Sequence, residues 1–103
     1  MSRNNAKKIV EKYAKELRKK KFPFKAVYLY GSYATDRAGK WSDIDVAVVS
    51  DKLKKNWDNN EFLLWKIGRL VDSRIEPIGF TSENFSGVDP IAMEVKKSGI
   101  KIA

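Results

Sequence analysis

The chain contains neither cysteine nor histidine. Without cysteine it can form no disulfide and can use no thiolate as a nucleophile or metal ligand, which is compatible with a reducing compartment such as the cytoplasm. Without histidine it lacks the side chain that most often serves as a general base near neutral pH. Carboxylates are therefore the main candidates for any acid–base or metal chemistry.

Long apolar runs are also missing. No run approaches the roughly 18 residues that a membrane-spanning helix needs, and the N-terminal residues lack the apolar segment and cleavage site of a secretory signal. We therefore expect a cytoplasmic protein with no membrane partner. The chain has 103 residues, of which 43% are hydrophobic and 33% charged, and this balance is typical of one globular domain over residues 1–103.

Basic residues outnumber acidic ones, and the formal net charge is +8. Two interpretations of this charge are open. It can attract phosphate-bearing or acidic partners, such as nucleoside triphosphates, RNA or an acidic protein. It can also be a solvated surface whose cations suit the end of a helix. Much of the excess lies in one segment, at Lys15, Arg18, Lys19, Lys20, Lys21 and Lys25.

The spacing of apolar residues predicts an alternation of short helices and strands. Pro77 favours an edge position or a bend for the third strand, and Asn59 or Asn60 is expected to cap the helix that follows a polar loop. The order predicts an α/β (α+β) fold in which helices flank a small mixed β-sheet. The predicted helices cover residues 5–20, 32–36, 61–71 and 90–98, the strands 25–30, 43–49 and 73–80, and the main loops 37–40, 51–60 and 82–89.

Two short motifs lie at the ends of the first two predicted strands. The first strand runs into Gly31-Ser32, and the second carries Asp43 and Asp45. Residues two apart on a strand point to the same face, so the two carboxylates would lie together and repel each other unless a cation sits between them. A Gly-Ser turn can offer backbone N–H groups and a hydroxyl to phosphate oxygens, since a glycine lets the backbone approach closely. The pair of motifs indicates metal-assisted chemistry on a nucleotide.

Glu76 is the third acidic candidate, because it lies inside the third predicted strand. If this strand pairs beside the second, Glu76 can join Asp43 and Asp45 on one face. Three carboxylates can hold one or two Mg²⁺ ions together with substrate phosphates. In this interpretation Asp43 and Asp45 bridge two ions, and Glu76 binds the ion that activates the attacking hydroxyl. Gly31 and Ser32 hold the triphosphate.

Each feature by itself has an ordinary structural explanation. Two aspartates at this spacing can be a strand-end pair or a turn cap, and Gly-Ser is common in loops. Glu76 can be an edge-strand charge that deters aggregation. Trp41, in a predicted loop beside the acids, can line the site or contact a partner. The combination of the three motifs, in this order and within one small chain, is far more specific than any one of them.

The combination resembles the DNA polymerase β-like nucleotidyltransferases, and in particular their smallest prokaryotic members. The pattern of that family is Gly-Ser, a spacer, Asp-x-Asp and a third acid on a later strand, which matches Gly31, Ser32, Asp43, Asp45 and Glu76. The resemblance covers nearly the whole chain. Further similar segments are Tyr33-Ala34, Trp41-Ser42, Ile75-Glu76-Pro77 and the stretch from Pro90 to Ile102.

The resemblance implies a function and a partner. It implies a sheet with flanking helices, Mg²⁺ as cofactor (two ions) and a nucleoside triphosphate, ATP, as substrate. Minimal members are often encoded beside a small helical HEPN-domain protein, as the antitoxin to a ribonuclease-type toxin. Where their chemistry is understood, they transfer adenylyl groups to a tyrosine of that partner.

One segment departs from the family pattern. Family members often have Arg and then Gly shortly after the Gly-Ser turn, whereas this chain has Thr35 and Asp36. Asp can adopt the left-handed conformation of the missing Gly, at some cost. The missing Arg removes a phosphate contact that Arg37 or Lys40 could replace, so the departure bears on triphosphate affinity.

Three functional hypotheses follow from the sequence. The first is an Mg²⁺-dependent nucleotidyltransferase that attaches a nucleoside monophosphate to a hydroxyl of a protein or an RNA. The second is a non-catalytic module that neutralises a HEPN-type partner by binding. The third is an RNA-binding α/β domain, which is not favoured because no paired aromatic and basic ribonucleoprotein motif is present. In the first hypothesis a partner protein or a second copy of the chain supplies the acceptor.

Overall fold

The structure is a computed structural model that describes all 103 residues. None of its helices is long and apolar enough to cross a membrane. The elements, in chain order, are helix α1 (Arg3–Lys19), strand β1 (Ala26–Tyr30), a 3₁₀ turn (Gly31–Tyr33), strand β2 (Ile44–Val49), a second 3₁₀ turn (Asp51–Lys54), helix α2 (Trp57–Val71), strand β3 (Ile75–Phe80), helices α3 (Ser82–Ser86) and α4 (Pro90–Ser98), and strand β4 (Ile100–Lys101).

The strands form one mixed sheet in the order β3-β2-β1-β4. β1 runs antiparallel to β2 and to β4, whereas β2 and β3 are parallel because α2 crosses over between them. The expected α/β fold with a small mixed sheet is therefore confirmed. The sequence did not predict β4, because its two residues are too few to show a period-2 pattern.

The two faces of the sheet are covered by different helices. On one face Ile44, Val46 and Val48 pack in the main core with the apolar stripe of α1 and with α2, as the alternation in β2 predicts. The buried Tyr13 hydroxyl donates to the Leu64 carbonyl at 2.8 Å and ties α1 to α2. On the other face a smaller cluster joins Ala47 and Phe80 of the sheet to Ala92 and Val95 of α4.

β3 lies at the edge of the sheet, as Pro77 predicts. The residues whose backbone points away from β2 are Ile75, Pro77 and Gly79, and none offers a free N–H. The Ile75 N–H donates to the Asp72 carbonyl, proline has no N–H, and the Gly79 N–H donates to Glu61 Oε1 at 3.4 Å. This edge is therefore protected against pairing with another strand.

The structure corrects the prediction for the cap of α2. Neither Asn59 nor Asn60 caps the helix, because α2 already begins at Trp57, after Asn56 in a left-handed conformation with φ of 56°. Asn60 is buried inside the helix, where its side-chain amide donates to the carbonyls of Lys52 and Lys55 at 3.0 and 2.8 Å. It holds the preceding turn against α2.

Two predicted local structures also differ. The predicted loop over 82–89 contains the short helix α3, whose first turn is capped by the Thr81 hydroxyl, which accepts from the Asn84 N–H. The predicted helix over 32–36 is a single 3₁₀ turn (Gly31–Tyr33). The closing helix begins with Pro90 and ends before Gly99, as expected.

We expect Gly79→Ala to lower the free energy of unfolding by about 1–2 kcal/mol, the usual cost of overfilling a packed core. A Cβ at Gly79 would lie 2.6 Å from Leu53 Cδ1 and 3.1 Å from Leu64 Cδ1, and both leucines are buried. Gly87→Ala is the matched control, since its Cβ would meet only ordinary contacts of 3.5 Å or more. Urea denaturation compares the two. Equal stability of the two variants would contradict the packing of α2 on β3.

Candidate active site

Gly31 forms the corner between β1 and the first 3₁₀ turn. Its φ is +75°, a left-handed value that costs glycine little and other residues more. A Cβ at this position would also overlap the carboxylate oxygen Oδ2 of Asp45. Glycine is therefore needed here both for its backbone conformation and for the lack of a Cβ. The sequence did not predict the second reason, because the group that excludes a side chain is the carboxylate of Asp45 itself.

Asp43 and Asp45 lie at the same end of the sheet as this turn. Asp45 is the second residue of β2, is half-buried and pairs with Tyr30 of β1, whereas Asp43 is exposed just before the strand. Burial, and after it the nearby carboxylates of Asp43, Glu94 and Glu76, together raise the pKa of Asp45 from 3.8 to about 6. The predicted pair of acids is thus brought together at the Gly-Ser turn.

Glu76 occupies the predicted backbone position, because the parallel register places it directly beside Asp45. Its side chain is engaged elsewhere: Glu76 Oε1 accepts from Arg69 Nη2 at 3.0 Å. Arg69 is fixed in turn, since its Nη1 donates to the Ser73 carbonyl and its guanidinium lies 4.8 Å from the centre of the Trp65 ring. No three acidic side chains converge closely enough to hold one metal ion together. The pairing of β3 with β2 therefore places Glu76 beside Asp45 as expected. The expected convergence of the three acidic side chains on one metal ion is not observed.

Glu94 is an additional acid that the sequence reasoning did not assign to the site. It lies on α4, near enough to Asp45 to raise the pKa of that carboxyl and to help burial raise the pKa of Tyr30 to about 12. In the sequence it is one of many charged residues on an amphipathic helix. Only the packing of α4 over the sheet places it beside the aspartates.

The turn that follows Gly31 is held by its own side chains. The Thr35 hydroxyl donates to the Gly31 carbonyl at 3.2 Å and accepts from Arg37 Nε at 3.2 Å. Asp36 has a φ of 62°, the left-handed conformation expected where family members have glycine. Ser32 is half-buried, and its carbonyl accepts from the Arg37 N–H at 2.8 Å. Thr35 and Asp36 therefore hold this turn by a side-chain hydrogen bond and a left-handed backbone.

Trp41 lies in the loop that leads to Asp43. Its side chain is 87% exposed, and the Lys40 ammonium lies 5.3 Å from the centre of its ring. Because so large an apolar ring is open to solvent beside the acids, Trp41 is available to a nucleobase or to a partner, as the sequence indicated.

The carboxylates of Asp43, Asp45 and Glu76 are ligands of the kind that a divalent cation takes, although their side chains do not converge around a single point. Carboxylate oxygens are the ligands that Mg²⁺ prefers. Asp45 is partly desolvated among other acids, so a cation would relieve a repulsion that the fold maintains. The Gly31–Ser32 turn lies directly beside this carboxylate, where a phosphate and the cation could share one site.

Comparison with known families agrees with this geometry. The model of the nucleotidyltransferase domain family matches residues 10–102, nearly the full length of the chain. The chain belongs to this family. No curated protein sequence is significantly similar to it.

Solved nucleotidyltransferase structures share the fold. A candidate nucleotidyltransferase from Sulfolobus solfataricus superposes with a TM-score of 0.69 at 17% identity, over 96% of this chain and 80% of its own. A MntA–HpeT toxin–antitoxin variant in which two aspartates are replaced by glutamate has a TM-score of 0.67 at 21% identity, over 100% and 73%. A toxin–antitoxin structure with AMP-PNP has a TM-score of 0.64 at 22% identity, over 90% and 72%.

We expect Asp45→Asn to raise the free energy of unfolding at pH 7.5, by about 1 kcal/mol once screening by solvent is allowed for. The pKa of Asp45 is raised to about 6 in the folded chain. Its ionisation therefore destabilises the fold progressively as the pH rises from about 4 through about 6. The gain in the variant should vanish below pH 4, where the wild-type carboxyl is protonated in both states.

Urea denaturation of the wild type and of Asp45→Asn, at pH 7.5 and below pH 4, measures this difference in the free energy of unfolding. Glu11→Gln is the control, because Glu11 is exposed on α1 and makes no ion pair. A gain of the same size at both pH values, or a loss at pH 7.5, would show that Asp45 is not crowded by other acids.

Proposed function

We propose that the chain is an Mg²⁺-dependent nucleotidyltransferase that transfers AMP from ATP to a hydroxyl of a protein partner, as the antitoxin of a HEPN-domain toxin. The observation that supports this most is the half-buried Asp45, which lies against Gly31 and among three other carboxylates. A structural ion pair would place a basic residue at that position. A site for a cation and a phosphate needs acids there.

The metal site in this proposal consists of Asp43, Asp45 and Glu76. When bound, Mg²⁺ supplies charge neutralisation for the phosphates and stabilises the attacking and leaving oxygens. Asp43 and Asp45 hold the cation from the first residues of β2 and the loop before it. Glu76 reaches the same place from β3 once its carboxylate leaves Arg69.

Gly31 and Ser32 hold the triphosphate. The turn offers phosphate oxygens the Ser32 hydroxyl and backbone N–H groups, while the Cβ direction of Gly31 faces the carboxylate of Asp45. Arg37, which is exposed and fixed to Thr35, supplies a positive charge beside the turn in place of the arginine of other members. A partner hydroxyl then attacks the α-phosphorus in line, and pyrophosphate leaves as the bond to the α-phosphate breaks.

The nature of the partner is supported by similar proteins. Two of the structures that share this fold are toxin–antitoxin assemblies, and one of them was solved with AMP-PNP, an ATP analogue. The exposed Trp41 beside the acids gives a partner or a nucleobase a surface to contact at the site.

A second candidate function is neutralisation of the partner by binding alone. The observation that favours it is the Arg69–Glu76 ion pair, which engages the third acid, while no three acidic side chains converge on one cation. A chain that keeps Glu76 in this pair would retain the fold and the partner surface but transfer nucleotide poorly.

Transfer can be tested with labelled ATP, Mg²⁺ and a candidate HEPN-domain protein. Label on the α-phosphate should appear on the partner, and label on the γ-phosphate should not, because pyrophosphate leaves. Asp43→Asn and Asp45→Asn should each reduce transfer at least about a hundredfold, as expected when a group that binds the reacting phosphate is lost. The control is Asp58→Asn, which removes the same charge from the exposed first turn of α2 and should leave transfer unchanged.

The alternative function has its own signature in this experiment. If the partner is inhibited without transfer, and if inhibition survives Asp43→Asn and Asp45→Asn, the enzymatic proposal is wrong and binding alone explains the activity.

We expect Arg69→Gln to bind Mn²⁺, used as a spectroscopic substitute for Mg²⁺, about two- to fivefold more tightly than the wild type. The reason is that a partly exposed ion pair is worth roughly 0.2–1 kcal/mol, which the cation must overcome to recruit Glu76. Titration followed by electron paramagnetic resonance measures the affinity directly.

Arg74→Gln is the matched control for this change. Arg74 is two residues from Glu76, but its guanidinium pairs with Asp72 at 2.8 Å, so its removal takes away the same charge without freeing Glu76. Weaker binding by Arg69→Gln would mean that Arg69 orients Glu76 for the metal and does not compete with it.

A further inference from the structure

A pocket of about 280 Å³ lies between the end of α1 and α2, and it shares no lining residue with the acidic site. We call this cavity the Lys21 pocket. Its apolar wall consists of Phe22, Leu63, Ile67 and Leu70. Phe22 precedes β1, whereas the acidic site follows it at Gly31. Phe22 and Gly31 are therefore at opposite ends of β1, a five-residue strand roughly 17 Å long.

Four lysines surround this pocket: Lys20, Lys21, Lys52 and Lys66. Only Lys20 has a carboxylate within reach, that of Glu16 at 4.0 Å, and Lys52 lies 5.6 Å from the centre of the Phe22 ring. Lys21 and Lys66 form no ion pair. The rim thus holds a surplus of positive charge that the chain does not neutralise.

The backbone at Lys21 is a second, independent observation. α1 ends in a Schellman motif, in which the Phe22 N–H donates to the Leu17 carbonyl at 2.9 Å and the Lys21 N–H to the Arg18 carbonyl at 3.0 Å. The residue at the position of Lys21 in this motif is usually glycine, because it must be left-handed, and Lys21 has a φ of 60°. A lysine here costs roughly 1 kcal/mol relative to glycine. Residues kept at such a cost are often functional.

The walls favour one kind of ligand. Leu70 is 62% exposed and Leu63 half-exposed, so the pocket offers an aliphatic surface that water covers in the free chain. Phe22 is 2% exposed, so no ring in the wall can stack on a base, as single-stranded RNA recognition requires. A ligand with an apolar side chain flanked by carboxylates can contact the apolar wall and pair with the lysines of the rim.

We propose that the Lys21 pocket is a docking site for an acidic segment of a partner protein, with a leucine or phenylalanine of that segment in the pocket and its carboxylates on Lys21 and Lys66. The site contributes no residue to the acidic end of the sheet. Docking therefore leaves Asp45 and the Gly31 turn open, and it does not depend on nucleotide transfer.

Fluorescence anisotropy with a defined probe tests the docking site. The probe is a short fluorescein-labelled peptide in which Leu and Phe are flanked by Asp and Glu, titrated with the full chain at low salt, where screening is weak. We expect the double variant Lys21→Gly/Lys66→Gln to bind about tenfold more weakly than the wild type, since two exposed ion pairs are lost. The control, Lys8→Gln/Lys101→Gln, removes the same charge from exposed positions outside the pocket and should change the affinity less than about twofold.

The single variant Lys21→Gly separates binding from structure. Glycine relieves the left-handed backbone, so this variant should melt at a higher temperature and yet bind the peptide about threefold more weakly. A merely structural lysine would give the first effect without the second, and unchanged binding would overturn the proposal.

Two further probes complete the test. A peptide of the same charge with serine in place of Leu and Phe should bind at least about fivefold more weakly, because the apolar contact is lost. A labelled single-stranded RNA of the same charge should bind no better than that serine peptide. Equal binding of the two peptides would mean that the pocket is not used, and tighter binding of the RNA would assign the surface to nucleic acid. Either result would contradict the proposal.

Discussion

The carboxylate of Asp45 is the constraint on which this end of the molecule depends. The strand pairing fixes it beside Tyr30, the packing of α4 brings Glu94 toward it, and the turn at Gly31 has no side chain because that carboxylate occupies the space. Burial among like charges costs free energy, which a fold selected for stability alone would avoid. The fold therefore keeps this carboxylate among like charges, as the proposed cation site requires, and the turn proposed to bind phosphate adjoins it.

The carboxylates around Asp45 and the lysines around the Lys21 pocket lie in different parts of the fold, and this separation has a functional consequence. A net charge of +8 therefore coexists with a local acidic site. The carboxylates around Asp45 repel an anionic ligand unless a cation accompanies it, whereas an acidic surface is attracted directly to the lysines around the Lys21 pocket. A partner held at the Lys21 pocket would remain close to the carboxylates around Asp45 without covering them.

Much of this architecture could be predicted from the sequence, because it depends on local patterns. The alternation in residues 43–49 gives both the core face of β2 and the shared direction of Asp43 and Asp45, and Pro77 places β3 at the edge. The remaining features depend on side chains distant in the sequence. Nothing local shows that Arg69 reaches Glu76, that Glu94 faces Asp45, or that Asn60 binds the preceding turn. These contacts arise only when the helices pack on the sheet.

The measurement that tests the central claim most directly is a titration of the Asp45 side-chain carboxyl carbon by nuclear magnetic resonance, with and without Mg²⁺. Without Mg²⁺ the carboxyl should titrate with a pKa of about 6, because burial and the neighbouring acids oppose its ionisation. Saturating Mg²⁺ should lower that pKa markedly, since a cation between the acids favours the charged form. A pKa near the ordinary 3.8 that does not respond to Mg²⁺ would contradict the account.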